Sequence, residues 1–268
     1  MTALLEGKTA LVFGVANDRS IAWSIAEQMH AHGARVELSY ASEPLQRRVE
    51  PLAAQIGSRF VRQCDLTDDA AIADLFSTAA REIGTIDILV HAVAYADRTD
   101  LQGRFSDTSR SGFALAMDVS VYSLVAIAHA ALPLMKPGAS IVTLSYYGGQ
   151  KVAPNYNVMG VAKAALESSV RYLAADLGPQ GVRVNAISAG PIRTLSAQAV
   201  SGFRTAAAKA ESVAPLRRGI AADDVANAAV WLGSDMARNV TGDVLFVDAG
   251  YNIMAGGTDP DSGAQGPQ

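Results

Sequence analysis

The chain has 268 residues, of which half are apolar and 18% are charged, a composition typical of a soluble globular protein with one large or two small domains. Its formal net charge of −4 provides no general attraction to nucleic acid or to an anionic membrane, so we expect neither as a partner. The single cysteine, Cys64, excludes a disulfide framework and a cysteine-rich metal site, and the histidine spacing gives no reason to expect a metal.

The N-terminal residues MTALLEGKTALVFG lack the basic region, the long apolar run and the cleavage pattern of a secretory signal. No apolar run approaches the roughly 18 residues that a membrane-spanning helix needs. A lone cysteine also fits a reducing compartment. We therefore expect a cytoplasmic protein.

Short apolar strands alternate with helix-length segments along the chain. Strands are predicted at 9–14 (TALVFG), 35–40 (RVELSY), 59–65 (RFVRQCD), 87–93 (DILVHAV), 140–146 (SIVTLSY), 183–189 (RVNAISA) and 243–249 (DVLFVDA). Several are continuous Val, Ile and Leu runs, which are typical of strands buried on both faces of a parallel sheet. We predict a single α/β domain at 1–255, a Rossmann-type doubly wound parallel seven-stranded sheet with helices on both faces. The polar residues 256–268 are predicted to form a flexible tail.

The first strand leads through a turn into a predicted helix, in the segment GVANDRSIAWSIAEQMHAHG at 14–33. Gly14 follows the strand directly, and Ser20 is a good residue to cap the helix N-terminus. A strand, a turn and a helix N-terminus can bind pyrophosphate through backbone N–H groups and the helix dipole. The pattern G-x-G-x-x-G is missing, because Asp18 and Ser20 stand where glycine would help, so a plain strand–helix turn stays open as an alternative.

The second strand ends in YASE at 40–43, and no basic residue follows before Arg47. An acidic residue at this place often binds the ribose 2′-hydroxyl of NAD, whereas a 2′-phosphate needs a nearby cation. The presence of Glu43 therefore favours NADH over NADPH, unless Arg47 or Arg48 reaches back to the ribose.

The third and fourth strands also end in residues suited to a nucleotide. Asp65 could accept a hydrogen bond from the adenine amino group, or it could cap the next helix, a role for which Thr67 and Asp68 compete. The fourth strand ends in HAVAYA at 91–96. Its small side chains would let a flat cofactor approach the backbone, although tight helix–sheet packing explains them equally well.

The fifth strand ends at Tyr146 and Tyr147, where ligands bind in such sheets, and a predicted helix carrying Tyr156 and Lys163 follows. Seven residues are about two helical turns, or roughly 10 Å of rise, so Tyr156 and Lys163 are predicted to share one helix face. The pair could therefore hold different parts of one bound molecule.

These segments together resemble the short-chain dehydrogenase/reductase superfamily, and more narrowly its bacterial enoyl-acyl-carrier-protein reductases. The usual Tyr-x-x-x-Lys is absent, because Gly160 stands four residues after Tyr156, but Tyr156 and Lys163 reproduce the Tyr-x6-Lys of the enoyl reductases. The segments GVANDRSIA (14–22), TLSYYG (143–148), PNYNVMGVAKAALE (154–167) and VRVNAISAGPIRTL (182–195) also look like this branch. The resemblance extends to about Met254.

The resemblance implies an NADH-dependent enzyme of fatty-acid synthesis that reduces a trans-2-enoyl thioester linked to acyl carrier protein. Tyr156 would bind the thioester carbonyl, Lys163 would hold the nicotinamide ribose hydroxyls, and Tyr146 would support them. The cofactor-binding residues implied are Gly14, Ser20, Ile21, Asp65, Leu66, Val93, Lys163, Ile192 and Thr194, and those implied to bind substrate are Ala96 and Tyr156. A homotetramer is also implied, for which the apolar segment LFVDAGYNIM at 245–254 would suit an interface.

The sequence departs from the branch at several positions. Ala41 stands in place of a glutamine at the adenosine ribose, Ala92 and Ala94 replace a serine and a glycine, and Tyr147 replaces an aliphatic residue. The first weakens the argument for NADH, and the others could reshape the pocket without removing the chemistry.

The segment AGPIRTLSAQAVSGF at 189–203 is predicted to be a lid over cofactor and acyl chain, with a surface crossover as the alternative. Arg193, Arg204 and Lys209 are hypothesised to help dock an acidic carrier protein.

Two other functions remain open. A short-chain dehydrogenase acting on a carbonyl or alcohol would require Tyr-x-x-x-Lys and an upstream serine. A non-catalytic dinucleotide-binding protein would have no reason to keep Tyr146, Tyr156 and Lys163 together.

Overall fold

The computed structural model describes residues 3–192, 194 and 202–254, without the side chain of Phe203. The strands are β1 (Thr9–Phe13), β2 (Arg35–Tyr40), β3 (Val61–Gln63), β4 (Ile88–His91), β5 (Ser140–Tyr146), β6 (Arg183–Ala189) and β7 (Val244–Val247). The α-helices are α1 (Ile21–Ala31), α2 (Glu43–Gln55), α3 (Asp69–Glu82), α4 (Arg110–Met117), α5 (Ser123–Ala131), α6 (Asn157–Leu177), α7 (Phe203–Val213) and α8 (Ala222–Gly233). The predicted tail and most of the predicted lid lie outside the described residues.

The strands form one parallel sheet in the order β3-β2-β1-β4-β5-β6-β7, which confirms the predicted seven-stranded fold. The chain runs outward from β1 to β3, crosses back to β4 and then runs outward to β7. The order therefore reverses between β1 and β4. In open sheets of this kind, ligands bind beyond the carboxyl ends of the strands at the point of reversal.

Side chains of the central strands alternate between two apolar clusters. In β1, Ala10 and Val12 pack with α1, α2 and α8 on one face, whereas Leu11 and Phe13 pack with α3, α5 and α6 on the other. Successive side chains of a strand point to opposite faces, so each face of the sheet is covered by helices, as predicted. Burying a large apolar side chain contributes roughly 1.5–3 kcal/mol, and these clusters hold the strand ends in place.

The first helix begins at the predicted cap Ser20 and ends before Gly33. The Ser20 hydroxyl oxygen accepts a hydrogen bond from the backbone N–H of Trp23 at 3.3 Å, which caps the N-terminus of α1. Gly33 follows the helix with φ +92°, a conformation that favours glycine. The N-terminus of α1 is thereby fixed beside the carboxyl end of β1.

A helical run over Arg110–Leu134 corrects the expectation that no segment is long and apolar enough to cross a membrane. It spans 25 residues and passes that test by length and composition. In the fold it packs as a core element, because Leu124, Ile127 and Ala128 are fully buried in the cluster with α3 and α6. The sequence reading missed it because Asp118 interrupts the apolar residues.

Candidate active site

A cavity of about 1220 Å³ opens at the carboxyl ends of β4, β5 and β6. Its wall includes six residues predicted to bind cofactor or substrate: Ile21, Ala96, Tyr146, Tyr156, Ile192 and Thr194. Apolar side chains such as Leu101 and Met159 provide much of the remaining surface. The cavity is therefore large enough for a cofactor and an apolar substrate at the edge of the sheet where such ligands bind.

Two tyrosine rings meet edge to face in the cavity wall. Tyr146 ends β5 and Tyr156 immediately precedes α6, and their ring centroids lie 4.8 Å apart at an interplanar angle of 67°. Burial raises the pKa of Tyr156 well above its usual range and also raises that of Tyr146. Both hydroxyls therefore stay protonated and can act as hydrogen-bond donors near neutral pH.

Glycines allow this arrangement to form. A Cβ atom added to Gly148 would lie 2.6 Å from Cδ1 of Tyr156, closer than real side chains approach. A Cβ atom added to Gly160 would lie 2.9 Å from the carbonyl oxygen of Gly148. The turn after β5 therefore packs directly on the start of α6, which places Tyr156 against Tyr146.

Lys163 lies on α6 two turns beyond Tyr156, against the end of β5. Its side chain is not among those lining the cavity, is 5% exposed, and donates a hydrogen bond to the carbonyl oxygen of Leu144 at 2.8 Å. The physical reason is that a buried ammonium needs an acceptor, and the end of β5 supplies a backbone carbonyl beside it. Tyr156 thus faces the cavity, and Lys163 lies beneath the strand that forms its wall.

The protonation of Lys163 reflects two opposing effects. Burial lowers its pKa to about 8, and the carboxylate of Glu167 opposes that shift. An ammonium has three N–H donors, and in the described part of the chain one of them has an acceptor. The remaining donors can bind hydroxyl groups of a ligand.

The nucleotide side of the site lies where β1 and β4 separate. Gly14 has φ +98°, and a Cβ atom there would lie 2.1 Å from the carbonyl oxygen of Ala92. Ser20 caps α1, and Val93 lies two residues beyond the end of β4, next to the Ala92 that contacts Gly14. These three predicted residues do not line the large cavity, but they lie at the same edge of the sheet, with the N-terminus of α1 facing it.

Asp65 and Leu66 follow β3, at the end of the strand order beyond β2. Asp65 accepts hydrogen bonds from the backbone N–H of Thr67 at 2.9 Å and from its hydroxyl at 2.8 Å. The alternative that Asp65 caps the next helix is wrong, because Asp68 caps α3 by accepting from the N–H of Ala70. The predicted contact of Asp65 with adenine stays a prediction.

These residues fit a dinucleotide. The capped N-terminus of α1 offers backbone N–H groups to phosphate, and the close approach at Gly14 leaves no room for a side chain there. Lys163 has N–H donors of the kind that hydroxyl groups accept. Among the described residues, no group of three His, Cys, Asp or Glu side chains is arranged to hold a metal ion.

Sequence reasoning missed a group of buried polar residues behind the cavity. Glu167 is 4% exposed and lies one turn after Lys163 on α6. His91 is fully buried between the hydroxyls of Thr143 and Ser123, each 2.8 Å from a ring nitrogen, and burial lowers its pKa to about 3. The four-residue spacing of Lys163 and Glu167 was visible in the sequence, but only the fold shows that both are buried.

A π-helical turn at Asp118–Tyr122, between α4 and α5, was also missed. The Ser120 hydroxyl in this turn donates to the carbonyl oxygen of Tyr95 and accepts from the N–H of Tyr95, both at 3.0 Å. Tyr95 and its neighbour Ala96 line the cavity. The turn therefore fixes the backbone of the loop that follows β4.

Comparisons with known proteins agree with this geometry. The family model described as enoyl-(acyl carrier protein) reductase matches residues 14–252. The NADH-type enoyl-[acyl-carrier-protein] reductase of Rickettsia bellii is 50% identical over 253 residues, covering 94% of this chain and 97% of that protein. The enzyme of the same name from a Nostoc species is 52% identical, covering 93% and 98%.

Solved structures give the same result. The NADH-type reductase of Aquifex aeolicus superposes with a TM-score of 0.92 at 50% identity, covering 94% of this chain and 98% of that one. The Bacillus cereus reductase, solved with NADP+ and indole naphthyridinone, has a TM-score of 0.92 at 51% identity, covering 95% and 100%. From its sequence and its fold alike, the chain belongs to the enoyl-(acyl carrier protein) reductase family.

Proposed function

We propose that this chain reduces the trans-2 double bond of an enoyl thioester in fatty-acid synthesis, with NADH as the hydride donor and acyl carrier protein as the carrier of the substrate. Its relatives in Rickettsia and Nostoc are named for this reaction with NADH. The observation that carries the proposal is the Tyr146–Tyr156 pair in an apolar cavity, with the Lys163 ammonium beneath the same strand end.

Tyr156 is the donor that the reaction requires. When bound, NADH would supply hydride to the β-carbon of the substrate, negative charge would develop on the thioester carbonyl oxygen, and a proton from solvent would complete the reduction at the α-carbon. The Tyr156 hydroxyl donates a hydrogen bond to that oxygen, and the bond strengthens as the charge grows. A well-placed donor of this kind contributes about 3 kcal/mol to transition-state stabilisation. Tyr146 supports it by holding the ring edge to face.

Lys163 provides positive charge close to the reacting groups. Its free N–H donors would hold the nicotinamide ribose hydroxyls, and its charge favours the enolate-like transition state. The other cofactor contacts we propose come from Gly14, Ser20, Ile21, Asp65, Leu66, Val93, Ile192 and Thr194, with Ala96 touching the substrate. Glu43 at the start of α2 supports the choice of NADH.

The carrier protein would dock beside the mouth of the cavity. Lys209 lines the cavity, and Arg204 is exposed on the same helix, α7. Both would attract an acidic carrier despite the negative net charge of the chain. Arg193, the third cation of this hypothesis, lies outside the described residues.

The chain would act as a cytoplasmic homotetramer. Support comes from the edge strand β7, whose residues are all partly exposed, and from Ile253 just beyond it, which is 72% exposed. An apolar edge of this kind is stabilised when a second copy covers it.

The test of the proposed function is the loss of absorbance at 340 nm when purified protein is mixed with NADH and crotonyl thioester. Turnover with NADH that exceeds turnover with NADPH would support the proposal. Activity with an alcohol and NAD in place of enoyl reduction would instead identify a carbonyl or alcohol dehydrogenase. Cofactor binding without any turnover would identify a non-catalytic protein.

A further inference from the structure

One buried carboxylate bonds both ends of the segment that carries the cavity tyrosines. The Ser145 hydroxyl donates to Oε1 of Glu167 at 2.6 Å, and the Gln150 side-chain amide donates to Oε2 at 3.1 Å. Ser145 directly precedes Tyr146, and Gln150 ends the short turn that begins at Tyr147. Since both of its oxygens are used, Glu167 fixes where this segment enters the cavity wall and where it leaves.

The same segment packs closely against α6. A Cβ atom added to Gly149 would lie 3.0 Å from the backbone nitrogen of Ala164 and 3.1 Å from Cβ of Lys163. The turn and the helix are therefore in backbone contact, and a small displacement of either one moves the other. The hydrogen bonds from Glu167 lie at the two ends of this contact.

Glu167 also lies on the same side of α6 as Lys163. The two residues are four apart on α6, so their side chains occupy the same helix face. Lys163 bonds the carbonyl oxygen of Leu144, and Glu167 bonds the side chain of the next residue, Ser145. A buried ammonium without a nearby opposite charge is costly, and Glu167 is the acidic group whose charge acts on it.

The other titratable group that interacts electrostatically with Lys163 is His91 on β4. Burial lowers the pKa of His91 to about 3, so the His91 ring is neutral near neutral pH. The raised pKa values of Tyr146 and Tyr156 keep both tyrosines neutral as well. Between pH 6 and pH 9, Lys163 is thus the member of this group that changes charge.

We propose that Glu167 is a positioning residue for the reaction. It holds the end of β5 and the following turn, and with them Tyr146 and Tyr147, and it is the counter-charge that keeps Lys163 protonated. The inference rests on the proposed function in one respect, namely that Tyr146 and Lys163 take part in enoyl reduction.

The first test uses the pH profile of kcat/KM, which reports groups of the free enzyme. In Glu167→Gln the alkaline limb set by Lys163 should move to lower pH by about one unit, and kcat should fall about tenfold. Glu167→Asp keeps the charge and should leave the limb near its wild-type position. The control Asp176→Asn removes an exposed carboxylate from the last turn of α6 and should change neither value.

The second test needs no catalysis and no cofactor. The melting temperature of the cofactor-free protein is measured from pH 6 to pH 9 for wild type and Glu167→Gln. An unfolded lysine has a pKa of about 10.4, so a folded-state pKa near 8 or below weakens the fold while Lys163 is charged. Removing the carboxylate lowers that pKa further, so the melting-temperature gap should be widest near pH 6, should narrow as pH rises through the two folded-state pKa values, and should be small above about 8. A gap that stays constant with pH, together with an unmoved alkaline limb, would overturn the pairing with Lys163.

The positioning role has its own variants, which also serve if Glu167→Gln does not fold. Ser145→Ala and Gln150→Leu each remove one hydrogen bond and leave the charge in place. Each should lower kcat about two- to fivefold with no movement of the limb. Wild-type kcat in both variants would overturn the positioning role. Failure of the wild-type enzyme to reduce enoyl thioesters would contradict the proposed function instead, and the melting experiment would still decide the pairing.

Discussion

At the residue scale, burial has opposite effects on the two polar groups at the site. It raises the pKa of the Tyr156 hydroxyl and lowers that of the Lys163 ammonium, because in each case it disfavours the charged form. Tyr156 therefore remains a neutral donor over a wide pH range. Lys163 is charged at pH 7 but loses its proton as pH rises through about 8.

Tyr156→Phe should keep the ring and lose the donor. The edge-to-face contact with Tyr146 needs no hydroxyl, so the melting temperature should hardly change. The rate of NADH oxidation with crotonyl thioester should fall about 100- to 1000-fold, as expected when one oxyanion donor is removed. Tyr172→Phe is the control, since Tyr172 is 78% exposed on α6 and should keep full activity. A Tyr156→Phe enzyme with full activity would show that another group binds the carbonyl.

The pH dependence of kcat/KM should follow Lys163. Its folded pKa is about 8, so kcat/KM should fall as pH rises above that value and the ammonium becomes neutral. Lys163→Met should be far less active and should lack this limb. Lys136→Met, which removes an exposed lysine, should retain the wild-type profile. If Lys163→Met kept the limb, the titrating group would have to be a different one.

At the element scale, the turn after β5 is the part of the fold that joins strand to helix at the site. Gly148→Ala places a methyl group where Cδ1 of Tyr156 would be only 2.6 Å away, so the ring must move. We expect a loss of about 1–3 kcal/mol in the free energy of unfolding, with a larger fall in activity than in stability. Chemical denaturation and the 340 nm assay measure the two effects.

The control for this variant is Gly178→Ala at the end of α6. No heavy atom lies within 4 Å of the added Cβ there, and the φ of Gly178 is negative, so both measurements should stay near wild type. If the two alanine variants behaved alike, the tight packing of the turn on α6 would have no role in placing Tyr156.

The sequence allowed the strands to be placed because strands buried on both faces are continuous apolar runs. The third strand is shorter than its predicted span of 59–65, at Val61–Gln63, because it lies at the sheet edge and pairs only with β2. The position of Lys163 could not be predicted, since its acceptor, the carbonyl of Leu144, becomes a neighbour only when α6 packs on β5. Glu167 was missed for the same reason, because a helical glutamate is normally exposed.

At the scale of the whole molecule, the parallel sheet brings distant parts of the sequence to one edge. Gly14, Val93 and Tyr146 follow or end β1, β4 and β5, which are neighbours in the sheet. The opposite, amino-terminal edge holds the Lys8–Asp235 ion pair at 2.8 Å and lies away from the cavity. Substitutions at the amino-terminal ends of the strands can therefore be made without disturbing the cavity at the carboxyl ends.

Assembly should depend on the edge at β7. Ile253→Glu places a charge on the exposed apolar segment after β7 and should shift the proposed tetramer to smaller species. Light scattering measures this against the 27.9 kDa of one chain. The control is Met236→Glu. Met236 is 67% exposed and lies beside Asp235, at the amino-terminal ends of the strands, so the measured mass should not change. A tetramer that persists in Ile253→Glu would place the interface elsewhere.

Carrier docking should depend on α7. Arg204→Glu should raise the KM for a carrier-bound enoyl substrate about three- to tenfold, because like charges then repel the acidic carrier. The KM for free crotonyl thioester should not change. Arg81→Glu, in the last turn of α3, is the control for the same reversal of charge at a distant site. An unchanged KM for the carrier-bound substrate would refute a role for Arg204.

The π-helical turn at Asp118–Tyr122 affects which insertions and deletions this chain can tolerate. Such a turn holds one residue more than regular helix, so deleting one residue there would restore ordinary backbone bonding without breaking the helix. Everything on one side of the deletion would then rotate by roughly 100° about the helix axis. Ser120 would no longer reach Tyr95, and the loop beside the substrate cavity would lose its anchor although the helix remained intact. The number of residues in this turn should therefore matter more than the identity of most of its side chains.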